Sequence, residues 1–298
     1  MVKKMESKGA RILALMLALI MIGSVLAYSA KQMAGSPKRE LKYELPDNFK
    51  GYVSSIPDGA GEVIYLNFNS ADEQLSSYLK NILSSNMNYK FFSHIRFSHD
   101  VEKALIAMYP SAFPDLLFLI NVNKTKVFFT HESVESYGDY SIELNKGVAL
   151  VDQISPCVFG TVNIVSKTLD VVSTKNGSLN DSVGSYIQKL PDDDYNLVLM
   201  FRGEAAKSLT KTPDLMDFYL SAYRINKTAN MYEKVVIINF LKNAFFVESN
   251  KTEYYNYTNY GEGLSMAVMM DTNFTKLLSA EPEMRIIEIK PVEVNETK

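Results

Sequence analysis

Val53-Ser-Ser-Ile-Pro-Asp-Gly-Ala-Gly-Glu-Val-Ile-Tyr-Leu-Asn-Phe68 is the stretch on which the fold reading turns. Pro57-Asp58-Gly59 carries turn chemistry: a fixed φ at proline, a side-chain acceptor at aspartate and a permissive glycine. Val63–Phe68 is rich in β-branched and aromatic residues, which favours a strand. The same order returns in Ile187-Gln-Lys-Leu-Pro-Asp-Asp-Asp-Tyr-Asn-Leu-Val-Leu-Met-Phe201. Each has an apolar residue before Pro-Asp, a short polar turn, and a strand ending in Phe. A second pair follows in the same order. Val127-Phe-Phe-Thr-His-Glu-Ser133 precedes a Tyr/Gly loop and the strand Gly147–Asp152; Ala244-Phe-Phe-Val-Glu-Ser249 precedes a Tyr/Gly loop and the strand Leu264–Asp271. Two matched pairs predict an internal repeat of roughly 110–130 residues.

Periodicity fills in each unit. In the first, Ser70 with Glu73 three residues on predicts a capping box. Leu75, Tyr78, Leu79, Ile82 and Leu83 then follow at helical spacing. Val101, Ala104, Leu105 and Met108 predict a second helix, ending near Pro110. Strands are expected at Leu116–Asn121, Lys126–Thr130, Val148–Val151, Gly160–Ile164 and Leu169–Val172. In the second unit a strand covers Asn196–Phe201. Thr212-Pro213 opens a helix with the stripe Leu215, Phe218, Tyr219 and Ala222, since proline suits a first helical turn. Strands follow at Glu233–Leu241, Ala244–Val247, Leu264–Met270 and Met284–Val292, with a short helix at Phe274–Ser279. Helices early and strands late give an α+β class, with mostly antiparallel sheets covered on one face by helices. The turn-rich Ser173–Gly184 is the expected join.

The amino-terminal segment Ile12–Ala30 is nineteen consecutive uncharged positions behind Lys3, Lys4, Lys8 and Arg11. As a helix it would reach about 28 Å, close to a bilayer's hydrocarbon thickness. The expectation is a transmembrane helix with the basic flank in the cytoplasm, or a cleaved signal peptide. The expected organisation is a basic flank over 1–11, the apolar segment over 12–30, a tether over 31–51, a first α+β repeat over 52–180 and a second over 181–298. The full chain holds 298 residues and a formal net charge of -3. Taking four basic residues and one acidic residue of the flank from 31 and 34 leaves 27 against 33, a negative exported part. Such a balance argues against a nucleic-acid partner, which needs an electropositive face. The partners expected are the lipid bilayer, through Ile12–Ala30, and an envelope protein or glycan.

Asn-x-Ser/Thr occurs at Asn123, Asn176, Asn180, Asn226, Asn250, Asn256, Asn273 and Asn295. Eight exceeds the roughly three expected from composition, so these are candidate glycosylation sites. With a single cysteine no intrachain disulfide forms, and an exported, nearly cysteine-free chain fits an archaeal envelope better than a secreted eukaryotic protein.

Catalytic constellations are wanting. The sequence has no Gly-x-Ser-x-Gly turn. His131-Glu132 lacks a second histidine at zinc-protease spacing. Gly59/Gly61 and Gly261/Gly263 precede strands, where a dinucleotide site needs glycines after one. His94, His99 and Asp100 have ligand chemistry, but a site would need a further ligand fixed by the fold. Asp192-Asp193-Asp194 lacks the alternation of a calcium loop, and Cys157 beside Pro156 reads as a lone buried thiol. No cofactor, metal site or catalytic residue is predicted. The least ordinary feature is tyrosine. Tyr254, Tyr255, Tyr257 and Tyr260 crowd one loop, and Tyr137 and Tyr140 occupy the matching loop of the first unit. A flat apolar ring with a polar tip suits contact with protein or sugar.

The basic start, single apolar span and sequon-bearing ectodomain of repeated Pro-Asp–strand units resemble uncharacterised single-pass envelope proteins of archaea. The resemblance implies location and layout and no catalytic residues. The function expected is a non-catalytic, membrane-anchored envelope protein acting by protein or glycan contact. The alternatives are a binding protein for a small molecule or peptide in a cleft between the repeats, and an exported hydrolase.

Overall fold

Both Pro-Asp runs become strands, and they lie side by side. The computed structural model describes residues 41–69, 71–87, 94–97, 100–111, 115–121, 127–191 and 195–287. In chain order it contains β1 (Tyr43–Glu44), α1 (Phe49–Val53), β2 (Glu62–Asn67), α2 (Glu73–Met87), β3 (Ile95–Phe97), β4 (Lys103–Tyr109), β5 (Asp115–Asn121) and β6 (Val127–Phe129). Then come β7 (Ser133–Tyr137), β8 (Tyr140–Asn145), β9 (Val148–Val151), β10 (Ile154–Ser155), β11 (Cys157–Thr161), α3 (Val162–Thr174) and α4 (Leu179–Ile187). The remainder is β12 (Leu197–Arg202), α5 (Glu204–Lys207), β13 (Met216–Asn226), β14 (Met231–Phe240), β15 (Ala244–Phe246), β16 (Tyr254–Gly261), β17 (Leu264–Asp271), α6 (Phe274–Ser279) and β18 (Met284–Ile286).

Twelve strands form one sheet in the order β16-β17-β14-β13-β12-β2-β4-β5-β11-β9-β8-β7. Every ladder in it is antiparallel. At its middle β2 pairs with β12, Ile64 opposite Leu199. The two stretches expected as tandem repeats therefore meet as hydrogen-bonded strands, and not across a cleft. Leu41–Lys298 is one compact unit. Small two-stranded pieces, β1–β10, β3–β6 and β15–β18, lie outside the sheet.

The sheet is covered on both faces. On one, Val63, Tyr65, Leu105, Val198 and Leu220 pack with α1, α3 and α4 in a single core. On the other, Leu66, Ala104 and Leu197 meet α2 and α6. Farther along that face Phe118 and Phe159 meet β3–β6, and Val236, Ile238 and Ala267 meet β15–β18. Burying both faces makes central strands read as continuous apolar runs rather than alternations. It also brings backbones close: a Cβ at Gly160 on β11 would lie 2.2 Å from the Leu116 carbonyl oxygen.

This arrangement corrects the expected class. The described part of the protein is mostly β, built on one large antiparallel sheet with helices on both faces, and the two stretches expected as tandem α+β repeats share that sheet. The expected span Ile12–Ala30 lies outside the described residues, and among the described residues no helix is long and apolar enough to cross a membrane. The predicted helix through Val101, Ala104, Leu105 and Met108 is the strand β4, and the predicted helix through Leu215, Phe218, Tyr219 and Ala222 is β13. Spacing of i, i+3, i+4 and i+7 is also satisfied by any strand buried on both sides. Conversely Leu169–Val172 lies in the helix α3, where tertiary burial of Val165, Leu169 and Val172 overrides β-branched propensity. The expected join Ser173–Gly184 is the end of α3 and the start of α4, whose first turn is closed by Ser178 N–H donating to Asp181 Oδ2 at 3.0 Å. Ser70 lies outside the described residues; the α2 cap is Asp72, whose Oδ1 accepts from the Leu75 amide at 2.8 Å.

Asp58 of the first Pro-Asp turn locks the centre of the molecule. It accepts from Ser182 Oγ of α4 at 2.8 Å, from the Gly59 amide at 2.7 Å and from Arg202 Nη1 of β12. Partial burial pushes its carboxyl up, but these bonds outweigh that and hold it below the ordinary aspartate value.

Candidate functional site

The tyrosines that the sequence placed in loops lie on strands, at opposite edges of the sheet. Tyr254, Tyr255, Tyr257 and Tyr260 belong to β16, the terminal strand on one side; Tyr137 and Tyr140 belong to β7 and β8 at the other. The structure does not bring the two groups together.

Strand β16 follows from its composition, since tyrosine and threonine suit a pleated, half-exposed surface. It turns into β17 through Gly261, Glu262 and Gly263, all with positive φ. Only glycine fits the last: a Cβ on Gly263 would meet the Phe240 carbonyl oxygen at 2.2 Å. Across the hairpin Tyr254 pairs with Met270, Asn256 with Val268 and Thr258 with Met266 on one face. Tyr255, Tyr257 and Asn259 pair with Met269, Ala267 and Ser265 on the other.

The two faces differ. On the second, Asn259 acts as a surrogate peptide. Its Nδ2 donates to the Phe246 carbonyl at 3.1 Å, and its Oδ1 accepts from the Phe246 amide at 3.2 Å and from Ser265 Oγ at 2.7 Å. Tyr255 is half-buried against the core around Phe246 and Met269. Burial first, and then Tyr257 and Glu283, push its hydroxyl up to about 12. On the first face cover is thin. Tyr254 and Tyr260 are 44% and 41% exposed, and Met266, Val268 and Met270 beneath them are only half-buried. Lys189, just past α4, lies over the Tyr260 ring at 4.6 Å. Seven of the eight β16 residues are exposed, and none carries a charge at neutral pH. At the other edge, Tyr137 Oη donates to Asp170 Oδ1 at 2.9 Å, which raises its pKa, while Tyr140 packs half-buried against the main core.

Of the eight sequon asparagines, Asn123 and Asn295 lie outside the described residues. Asn176, Asn250 and Asn256 are exposed; Asn180 is half-buried in α4. Asn226 Nδ2 donates to Glu233 Oε2 at 2.7 Å, and Asn273 caps α6 by accepting from the Lys276 amide at 3.0 Å. Asn256 sits in the middle of β16, on the thinly covered face.

Several of the other polar groups serve the fold. His131 Nδ1 lies 3.6 Å from Glu143 Oε1. His99 and Asp192, Asp193 and Asp194 lie outside the described residues, and among the described residues no group of three His, Cys, Asp or Glu side chains is placed to hold a metal. Cys157 is buried on β11, and burial, then Asp152, push its thiol up to about 12. Lys234, wholly buried, donates to the Ala280 carbonyl at 2.6 Å and to Glu281 Oε1 at 2.7 Å, which holds the chain after α6 to the sheet. A pocket of about 130 Å³ between Asp72, Tyr232 and Thr272 is smaller than the roughly 300 Å³ at which small-molecule sites begin. There Tyr232 Oη donates to the Asp72 carboxylate.

Sequence reasoning found the tyrosines and missed Met266, Val268 and Met270. Their signal was present in β17, where these large residues alternate with Ser265, Ala267 and Met269 and so define a second face.

The fold and this edge define a class, large antiparallel-sheet proteins with helices on both faces. The chain belongs to the same family as an uncharacterized protein of Archaeoglobus fulgidus, with which it is 32% identical over 299 residues, covering 95% of each chain. The AF_2048_N family N-terminal domain matches residues 44–173, from β1 to the end of α3. Two crystal forms of TP0453 are similar at 9% and 10% identity. They cover 76% of this chain and 96% and 94% of theirs, with TM-scores of 0.40 and 0.42, too slight a likeness to carry an argument.

Proposed function

We propose that the protein is a non-catalytic, extracytoplasmic contact protein of the cell envelope, and that it engages a protein partner through β16 and the adjoining Tyr/Met face. The observation that carries this reading is an uncharged eight-residue edge strand, seven of whose residues are exposed. Its outer backbone groups are a template for one more strand. The rings of Tyr254 and Tyr260 over half-exposed Met266 and Met270 supply large apolar area at low entropic cost, and methionine adapts to the surface it meets. An extracytoplasmic location is supported by the exposed sequon asparagines Asn176 and Asn250, which lie off the contact strand.

A photoreactive phenylalanine analogue at Tyr257 of the full chain, in living cells of the source organism, tests the reading. A discrete protein adduct at Tyr257, absent when the same group replaces Val134 on β7, is expected. No adduct at Tyr257, or equal adducts at both edges, overturns it.

A further inference from the structure

We propose that the strand added at this edge is β16 of a second copy of the same chain, running antiparallel, so that two twelve-stranded sheets join into one. This rests on the reading of β16 as the contact edge and names its partner.

The first argument is the order of residues in the strand. Tyr254-Tyr-Asn-Tyr-Thr-Asn-Tyr260 is nearly palindromic about Tyr257. An antiparallel pair centred there sets Tyr257 against Tyr257, Tyr254 against Tyr260 of the second copy, and Asn256 against Thr258. Ring meets ring and small polar meets small polar at every pair but Tyr255 with Asn259, and such matched pairs stabilise a ladder.

The second argument is charge. From Tyr254 to Gly261 there is no ionisable charge at neutral pH, so two chains of net charge -3 meet here without like charges opposed. The opposite edge behaves otherwise. Strand β7 is Ser133-Val-Glu-Ser-Tyr137, and an antiparallel pair about its centre would set Glu135 against Glu135. A charge in the middle of an edge strand is how proteins discourage edge pairing. One edge of this sheet has that guard; the other lacks it, and its single irregularity is the bulge between Asn259 and Gly261 at one end of the strand.

The exposed Asn256 adds a consequence. It lies at the heart of the proposed pair, so a glycan there and self-pairing exclude one another by bulk. Material glycosylated at Asn256 is expected to be monomeric.

The chain has one native cysteine, Cys157, buried on β11, so a second, exposed cysteine reports cleanly. In the full-length protein without a glycan at Asn256, Tyr257→Cys is expected to give disulfide-linked dimer as the main product of mild oxidation. Val134→Cys is expected to stay monomeric. Adding Thr258→Lys to Tyr257→Cys sets lysines near one another across the pair and should cut the dimer at least about fivefold. A folded Tyr257→Cys chain that stays monomeric, or equal dimer at both edges, overturns the proposal. If Tyr257→Cys misfolds, Asn256→Cys and Thr258→Cys chains are mixed. Mixed dimer in excess of either self-dimer supports the pairing, and its absence overturns it. A monomeric Tyr257→Cys chain alongside a persisting photo-adduct to another protein overturns self-pairing and leaves the contact reading standing.

Discussion

Asp271 shows how much a single carboxylate does in this fold. It is buried at the end of β17, with Oδ2 2.6 Å from Lys276 Nζ and Oδ1 accepting from the Asn273 amide at 2.9 Å. Burial pushes its pKa up; the Lys276 bond and the backbone amides of Asn273 and Glu253 outweigh it, so the folded value lies below the ordinary one. A carboxylate with a depressed folded pKa stabilises the protein fully above its unfolded value, near 3.9, and that contribution disappears as pH falls through the folded value. Asp271→Asn should therefore cost about 1–3 kcal/mol in urea unfolding at pH 7. The gap between wild type and variant should shrink as pH drops below about 4. A gap independent of pH would mean that the charge on Asp271 is immaterial. None of this was legible in the sequence, because Lys276 and Glu253 reach Asp271 only once α6 and the start of β16 are placed. The tyrosines were legible by their crowding. What was not legible is that Tyr255 is half-buried while Tyr254 and Tyr260 stand exposed, which follows from the register with β17.

At the scale of elements, legibility depended on how many sides are buried. The helix α2 has one apolar stripe, and the spacing of Leu75, Tyr78, Leu79, Ile82 and Leu83 marked it. Leu75 and Leu79 are fully buried against the sheet. Leu79→Ala is expected to destabilise by about 2–5 kcal/mol, since it removes packed methyl groups and leaves a cavity. Thermal or denaturant unfolding measures it, and a cost below about 0.5 kcal/mol would place that face in solvent. The strands β4 and β13 were misread because apolar residues on both faces satisfy helical and extended spacing alike. The helix α3 hid its nature in seven β-branched residues, Val162, Ile164, Val165, Thr168, Val171, Val172 and Thr174. Its burial against β5, β9 and β11 supplies what propensity withholds.

For the whole molecule, the matched Pro-Asp runs were legible and their relation was not. Sequence similarity between two stretches says nothing about whether they fold apart or pair, and here Ile64 opposite Leu199 joins them into one sheet. A sheet with a middle so closed has two ends, and an open edge is where a further strand can add. Glu135 guards one end; β16 leaves the other open. The most direct measurement is amide hydrogen exchange along β16 in the full chain isolated from its own cells and free of glycan at Asn256, compared with Thr258→Lys. If β16 is paired to a partner strand of any kind, the amides that point away from β17 exchange at least about tenfold more slowly in the wild type than in the variant, while β2 and β12 are unchanged. Equally fast exchange of those amides in both proteins would contradict the account.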